Sequence, residues 1–183
     1  PWPSIFIKAV IALALSLRSF GGSESIGVTD RPLENWVEVG KALEDCRREL
    51  NLEFRKMDEV VLPPSLWRCT ALQRLQISCK GPKLRSLPPD IGKLSELTVL
   101  IVSNNELECL PEELGSLSNL RVLEADNNCL TSLPSSLSKC SKLEVLNVAN
   151  NKLVSLSPIQ GLEMLGTIHA EHNMLQDGAA LPL

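Results

Sequence analysis

From Leu72 onward the chain repeats itself, and the repeat limits what it can fold into. Leu97, Leu100, Val102, Asn105 and Leu107 recur as Leu120, Leu123, Ala125, Asn128 and Leu130, and again as Leu143, Leu146, Val148, Asn151 and Leu153, 23 residues on each time. A fourth copy follows one residue early, as Leu165, Ile168, Ala170, Asn173 and Leu175. An earlier copy reads Leu72, Leu75 and Ile77, with Lys80 where Asn is expected and two extra residues around Gly81-Pro82. Leu52, Phe54 and Leu62-Pro63 look like a decayed first copy. A unit this short cannot bury its own leucines, so it must stack on its neighbours.

The pattern within each copy predicts its path. In L-x-x-L-x-L the alternating residues make a short strand with one face buried. The Asn then turns the chain, and its amide can satisfy backbone groups that a tight turn leaves unpaired. Leu110-Pro111 through Leu117, and Leu133-Pro134 through Cys140, return along the outer side. The expected fold is an α/β solenoid. It has short parallel strands on a concave face and irregular or 3-10 return segments. In this register Asn105, Asn128, Asn151 and Asn173 form a structural ladder. Cys69 and Cys140 stand where other copies have Leu94 and Leu117, an apolar core slot.

Composition agrees with stacking. Hydrophobic residues make up 44% of the 183, yet aromatics are only 3% and Tyr is absent, so the core must be aliphatic. A net charge of −4 gives no basic surface for phosphates and argues against nucleic acid. The six cysteines show no C-x-x-C pair, which argues against a metal site of that type and for scattered, reduced thiols.

The region before the repeats divides in two. Residues 1–29 read as a leader or disordered segment. Its apolar run Ile5–Leu17 is too short to span a bilayer as a helix. It is open to reading as a signal-peptide core, an organelle transit segment or an unstructured stretch. Residues 30–51 predict an amphipathic capping helix, begun at Asp30-Arg31-Pro32. Trp36, Val39, Leu43, Cys46 and Leu50 step by three and four along one face. Residues 52–183 then hold about five to six repeats, incomplete at the C-terminal end, where no amphipathic helix follows Leu175. That end is expected to continue into further repeats or a cap in the natural protein.

The region from about Leu62 to Leu175 resembles the leucine-rich-repeat family. Its 23-residue Leu-Pro unit is similar to the intracellular Ras-group type, which includes Ras-pathway scaffolds and plant intracellular Ras-group-related proteins. The unit at Leu156-Ser157-Pro158-Ile159-Gln160-Gly161-Leu162 resembles the 22-residue variant of phosphatase-regulating repeat proteins. The resemblance implies a horseshoe and a cytoplasmic binding scaffold in signalling. By resemblance, its protein or peptide partner is a small GTPase or a phosphatase. No cofactor is implied.

The strand residues between the leucines are the candidate binding residues. Arg74, Val99, Val122, Val145 and Thr167 form one column. Gln76, Ile101, Glu124, Asn147 and His169 form the next, and Ser78, Ser103, Asp126, Ala149 and Glu171 the third. Val99, Ile101, Val122 and Val145 make an aliphatic patch. It is bordered by Glu124, Asp126, Glu144 and Glu171 against Arg74 and Arg121, an apolar centre with a charged rim. The alternative is that β-branched residues stand there for strand propensity alone. His169-x-x-His172 falls half in the column and half in the turn, which argues against a metal pair. Asp90, Glu112 and Glu113 read as solvated surface. No motif places a nucleophile with a base, so the expectation is a non-enzymatic scaffold. A receptor-type ectodomain, secreted or organellar if the leader is a targeting signal, stays open. So does a regulatory arm of a larger kinase, GTPase or ligase.

Overall fold

The computed structural model describes residues 32–54, 62–81 and 83–176, with side chains from residue 37 on. The leader, the Asp30-Arg31 helix start, the Trp36 side chain and the tail from 177 lie outside the described residues. Helix α1 (Pro32–Glu44) is followed by β1 (Glu49–Phe54), β2 (Arg74–Cys79), β3 (Val99–Ile101), β4 (Val122–Glu124), β5 (Val145–Asn147) and β6 (Thr167–His169). The six strands form one parallel sheet in chain order. Leu100 pairs with Leu75 and Leu123, and Leu146 with Leu123 and Ile168, so each copy sits in register with the next. This is a leucine-rich-repeat solenoid, with α1 at its N-terminal side.

The return path is built by proline. Pro88, Pro111 and Pro134 hold φ of −73°, −70° and −64° with extended ψ, the range to which the ring restricts them. Each leads into a 3-10 turn: Pro89–Lys93, Glu112–Ser116 and Ser135–Lys139. The turns close through N–H groups of Ile91, Leu114 and Leu137, which donate back to those proline carbonyls at 3.0–3.1 Å. Ile91, Leu114 and Leu137 are fully buried, as are Leu97, Leu100, Leu120 and Leu123 of the same core. Cys140 ends the last of these turns, and Cys69 an earlier one, Pro64–Arg68, in the slot of Leu94 and Leu117, and both are buried.

The ladder asparagines knit one coil to the last. Nδ2 of Asn128 donates to the carbonyls of Ala125 (3.0 Å) and Asp126 (3.2 Å) in its own turn, and to Val102 (3.1 Å) in the preceding coil. Its Oδ1 accepts the N–H of Leu107 at 3.0 Å. Asn105, Asn151 and Asn173 repeat the arrangement. The residue before each is in the left-handed region: Asn104, Asn127, Asn150 and His172 have φ of 54–61°. Asn and His tolerate that region better than most side chains, which explains why the asparagines come in pairs. At the irregular copy, Lys80 turns outward and pairs with Glu53 at 2.5 Å. Lys83 instead donates to the carbonyls of Cys79 in its own turn and Asn104 in the next, at 2.8 Å each.

The capping helix is shorter than its apolar spacing predicts. It stops at Glu44, because Cys46 takes φ 48° and the N–H of Arg47 closes back on the Ala42 carbonyl at 3.0 Å. A left-handed residue with a bond closing back over it is a common helix stop. Cys46 is therefore exposed, and Leu50 leaves the helix face for β1, where it pairs with Leu75. Val39 and Ala42 are buried, and α1 packs on β1 and the turn Pro64–Arg68. At the other end, Leu165, Ile168 and Leu175 are only partly buried, where their equivalents Leu143, Leu146 and Leu153 are fully so.

Two contacts on the outer side set coil spacing. A Cβ on Gly115 would meet the Ser136 carbonyl oxygen at 2.6 Å, so only glycine allows the turns to come this close. Glu112 is not idle surface charge. Its carboxylate accepts the N–H groups of Ser136 (2.8 Å) and Ser135 (3.0 Å) and the Ser135 hydroxyl, capping the next coil's turn. These donors, the Ser136 N–H foremost, hold the carboxyl below its ordinary 4.5.

Two outcomes follow from these bonds. Asn128→Ala leaves the buried Leu107 N–H without its acceptor, a loss of about 1–3 kcal/mol. Thermal melts should show Asn128→Ala falling by roughly 2–4 °C per kcal/mol, with the exposed control Ser118→Ala unmoved. Because the folded carboxyl of Glu112 titrates lower than the unfolded one, its contribution is complete above the ordinary value and lost as pH falls through the folded one. Urea titrations of Glu112→Gln should therefore show a deficit at neutral pH that closes in acid. A deficit independent of pH would mean that the carboxylate's charge is not what the serine donors hold.

Candidate partner-binding face

Parallel pairing at a spacing of about 4.8 Å turns the repeat into columns of side chains on the open sheet face. Val99, Val122 and Val145 are consecutive partners across β3, β4 and β5, with Arg74 before them and Thr167 after. Ile101, Glu124, Asn147 and His169 run alongside in the same order. The three valines and Ile101 are half-buried rather than fully exposed, because each is flanked by the next rung. They form a continuous aliphatic ribbon rather than a protruding patch. Among the described residues, the large apolar side chains most open to solvent are elsewhere: Val154, Met164 and Met174, at 47%, 51% and 62% exposure.

The polar residues are arranged by rung. Asp126 accepts from the Ser103 hydroxyl on the preceding rung at 2.5 Å and from Nδ2 of Asn147 on the next at 3.1 Å. Nδ2 of Asn127 also donates to it. Arg121 and Glu144 are ion-paired at the entry to β4 and β5, so they occupy each other. Ala149 of the third column is buried, whereas His169 and Glu171, on the last rung, are exposed. Arg74 lies two strands from Glu124, beside Glu49 of β1.

That neighbour is not evident from the sequence. Strand β1 adds Glu49, Asn51 and Glu53 to the open face. The alternation Leu50-x-Leu52-x-Phe54 carries the signal, but Leu50 also fits the helical spacing before it, which hides the strand.

Among the described residues no group of three or more His, Cys, Asp or Glu is placed to hold a metal ion. No helix there is long and apolar enough to cross a membrane. The six cysteines are all free thiols. Burial raises the Cys140 thiol to about 11 and pushes up those of Cys69 and Cys79 as well. Cys46 and Cys109 are exposed. Alkylation at neutral pH should label those two first, and Cys69, Cys79 and Cys140 only on unfolding, as read by peptide mass mapping. Early labelling of Cys140 would show that its slot is not closed.

Models of known families match the repeats: "Leucine Rich Repeat" over residues 96–117 and "Leucine Rich repeats (2 copies)" over 118–161. No curated protein matches the chain by sequence. Solved structures do. A leucine-rich-repeat protein of Leptospira interrogans is 32% identical over 73% of this chain and 40% of its own, with a TM-score of 0.63. This chain therefore spans 40% of the length of that relative. The leucine-rich-repeat ectodomain of the receptor kinase SOBIR1 from Arabidopsis thaliana is 25% identical over 69% of this chain and 70% of its own, with a TM-score of 0.56. YopM from Yersinia enterocolitica shares the fold over 96% of this chain and 35% of its own, at 24% identity and a TM-score of 0.60.

Proposed function

This chain is built from leucine-rich repeats, and on that premise we propose that it is a non-catalytic scaffold that holds another protein on its concave sheet face. Leucine-rich-repeat proteins generally act as protein-interaction scaffolds. The observation that carries the reading here is the aliphatic ribbon of Val99, Val122 and Val145, flanked by charged and amide side chains on a rigid sheet. A preformed face with an apolar centre and a polar border is suited to a protein or peptide surface.

The 23-residue Leu-Pro unit supports placing this scaffold in intracellular signalling, with a small GTPase or a phosphatase as partner. Six unpaired thiols favour the same compartment. A receptor ectodomain is the second reading. It is favoured by the likeness to the SOBIR1 ectodomain across 70% of that chain.

The double variant Val122→Arg, Val145→Arg tests the site. These side chains point away from the core, so the expected stability change is within about 1 kcal/mol, or about 2–4 °C. Circular dichroism should be unchanged, while partner capture in cross-linking from cell extract disappears. Unfolding would show that the valines are core residues. Unaltered capture would move the site to another face.

A further inference from the structure

We infer that the segment held on this face is cationic: a polypeptide stretch with lysine or arginine set close to an aliphatic or aromatic anchor. The inference rests on the concave-face reading and says what kind of partner that face takes.

It comes from how the molecule treats its acids. Away from the open face, several acids are matched. Glu38 pairs with Lys41 and Arg47, Asp90 with Lys93, Glu106 with Arg85, and Glu112 caps a turn with serine donors. At the border of the face, Glu144 is matched by Arg121 and Glu53 by Lys80. On the open face Glu124, Asp126 and Glu171 are unmatched: among the described residues none has a cation within ion-pair distance, as is also true of Glu49 on the same face and of Glu44, Glu96, Glu108, Glu113 and Glu163 elsewhere. Asp126 is bonded to the neutral donors of Ser103, Asn127 and Asn147, which orient its carboxylate without neutralising it.

The surroundings give them no relief. No lysine or arginine occupies an outward position on β4, β5 or β6, or in the two residues after each. Glu124 and Asp126 are two residues apart on one rung, so they lie about 7 Å from each other on the same face. Both are half-buried on the sheet face, where the lowered solvent access makes a mobile counter-ion a poor substitute for a fixed one. The same rung carries Val122, two residues before Glu124. A cation bound at Glu124 therefore sits within about 7 Å of the aliphatic ribbon. Glu171 lies two rungs further, roughly 10 Å, or about three residues of extended chain. The face thus matches an apolar side chain followed by cations about three residues apart, and it repels phosphate-bearing ligands.

Peptide selection tests this without the natural partner in hand. Random twelve-residue peptides are displayed against the whole chain, and those that also bind a Val122→Ser, Val145→Ser variant, which removes the ribbon without adding charge, are discarded. The expected survivors are enriched in lysine or arginine near an aliphatic or aromatic residue. Their affinity should fall about tenfold in the Glu124→Gln, Glu171→Gln variant, as expected for two partly exposed ion pairs, and should weaken as salt is raised. The variant's circular dichroism should match the parent's. Survivors that need the valines but are neutral or acidic, or that bind the glutamine variant equally well, would overturn the cationic partner and leave the concave site standing. If no peptide depends on the valines, the concave-face reading falls, and this inference with it.

Discussion

The structure depends on how a coil satisfies its own inward-facing backbone. Each turn after a strand leaves carbonyls and an N–H pointing at a dry interior, where an unpaired group costs about as much as a buried leucine contributes. Two successive asparagine amides meet them, one from the turn's own coil for the carbonyls and one from the next coil for the N–H. Asn151 donates to Val148, Ala149 and, across the gap, to Ala125 of the preceding coil, while accepting the Leu130 N–H from that same coil. The side chain is both turn cap and inter-coil tie. A coil can therefore close only when its neighbour is present and in register. Where the asparagine is missing, the inward Ile77 carbonyl is still met by Asn105 of the next coil, and the Lys83 ammonium ties the turn from outside through the carbonyls of Cys79 and Asn104.

Once that tie sets the rung, the rest follows at close range. Strands as short as Val122–Glu124 persist because both neighbours are locked alongside. The outer turns are pressed together until only a glycine fits at position 115, and the Glu112 carboxylate bridges to the next turn. The inner face is left as a rigid array whose side chains have few obligations to the core. Such a scaffold loses little entropy when it binds. On the proposed reading, the identity of the outward residues, rather than any motion of the coils, would carry recognition.

The repeat, its period, the columns and the buried slots of Cys69 and Cys140 are legible in the sequence, because each is repeated and each copy confirms the register of the others. What is not legible is what happens once. Leu50 satisfies both a helical and an alternating pattern, so the end of α1 and the extra strand β1 are hidden. Only the left-handed turn at Cys46 separates them. Glu112 looks like solvated charge because its partners, Ser135 and Ser136, lie a full coil away.

Sequence alone determined that this chain is a stack of coils with aliphatic interiors and an asparagine at each regular turn, since those requirements are local and recur from copy to copy. Tertiary structure decided the rest. It made the valines a half-buried ribbon, paired Arg121 with Glu144, and left Glu124, Asp126 and Glu171 without a cation among the described residues. The physical reason is distance. Whether a charge bordering the open face is matched depends on groups across the rungs, about 5–10 Å away, which for Arg121–Glu144 and Lys80–Glu53 are 23 or more residues away along the chain.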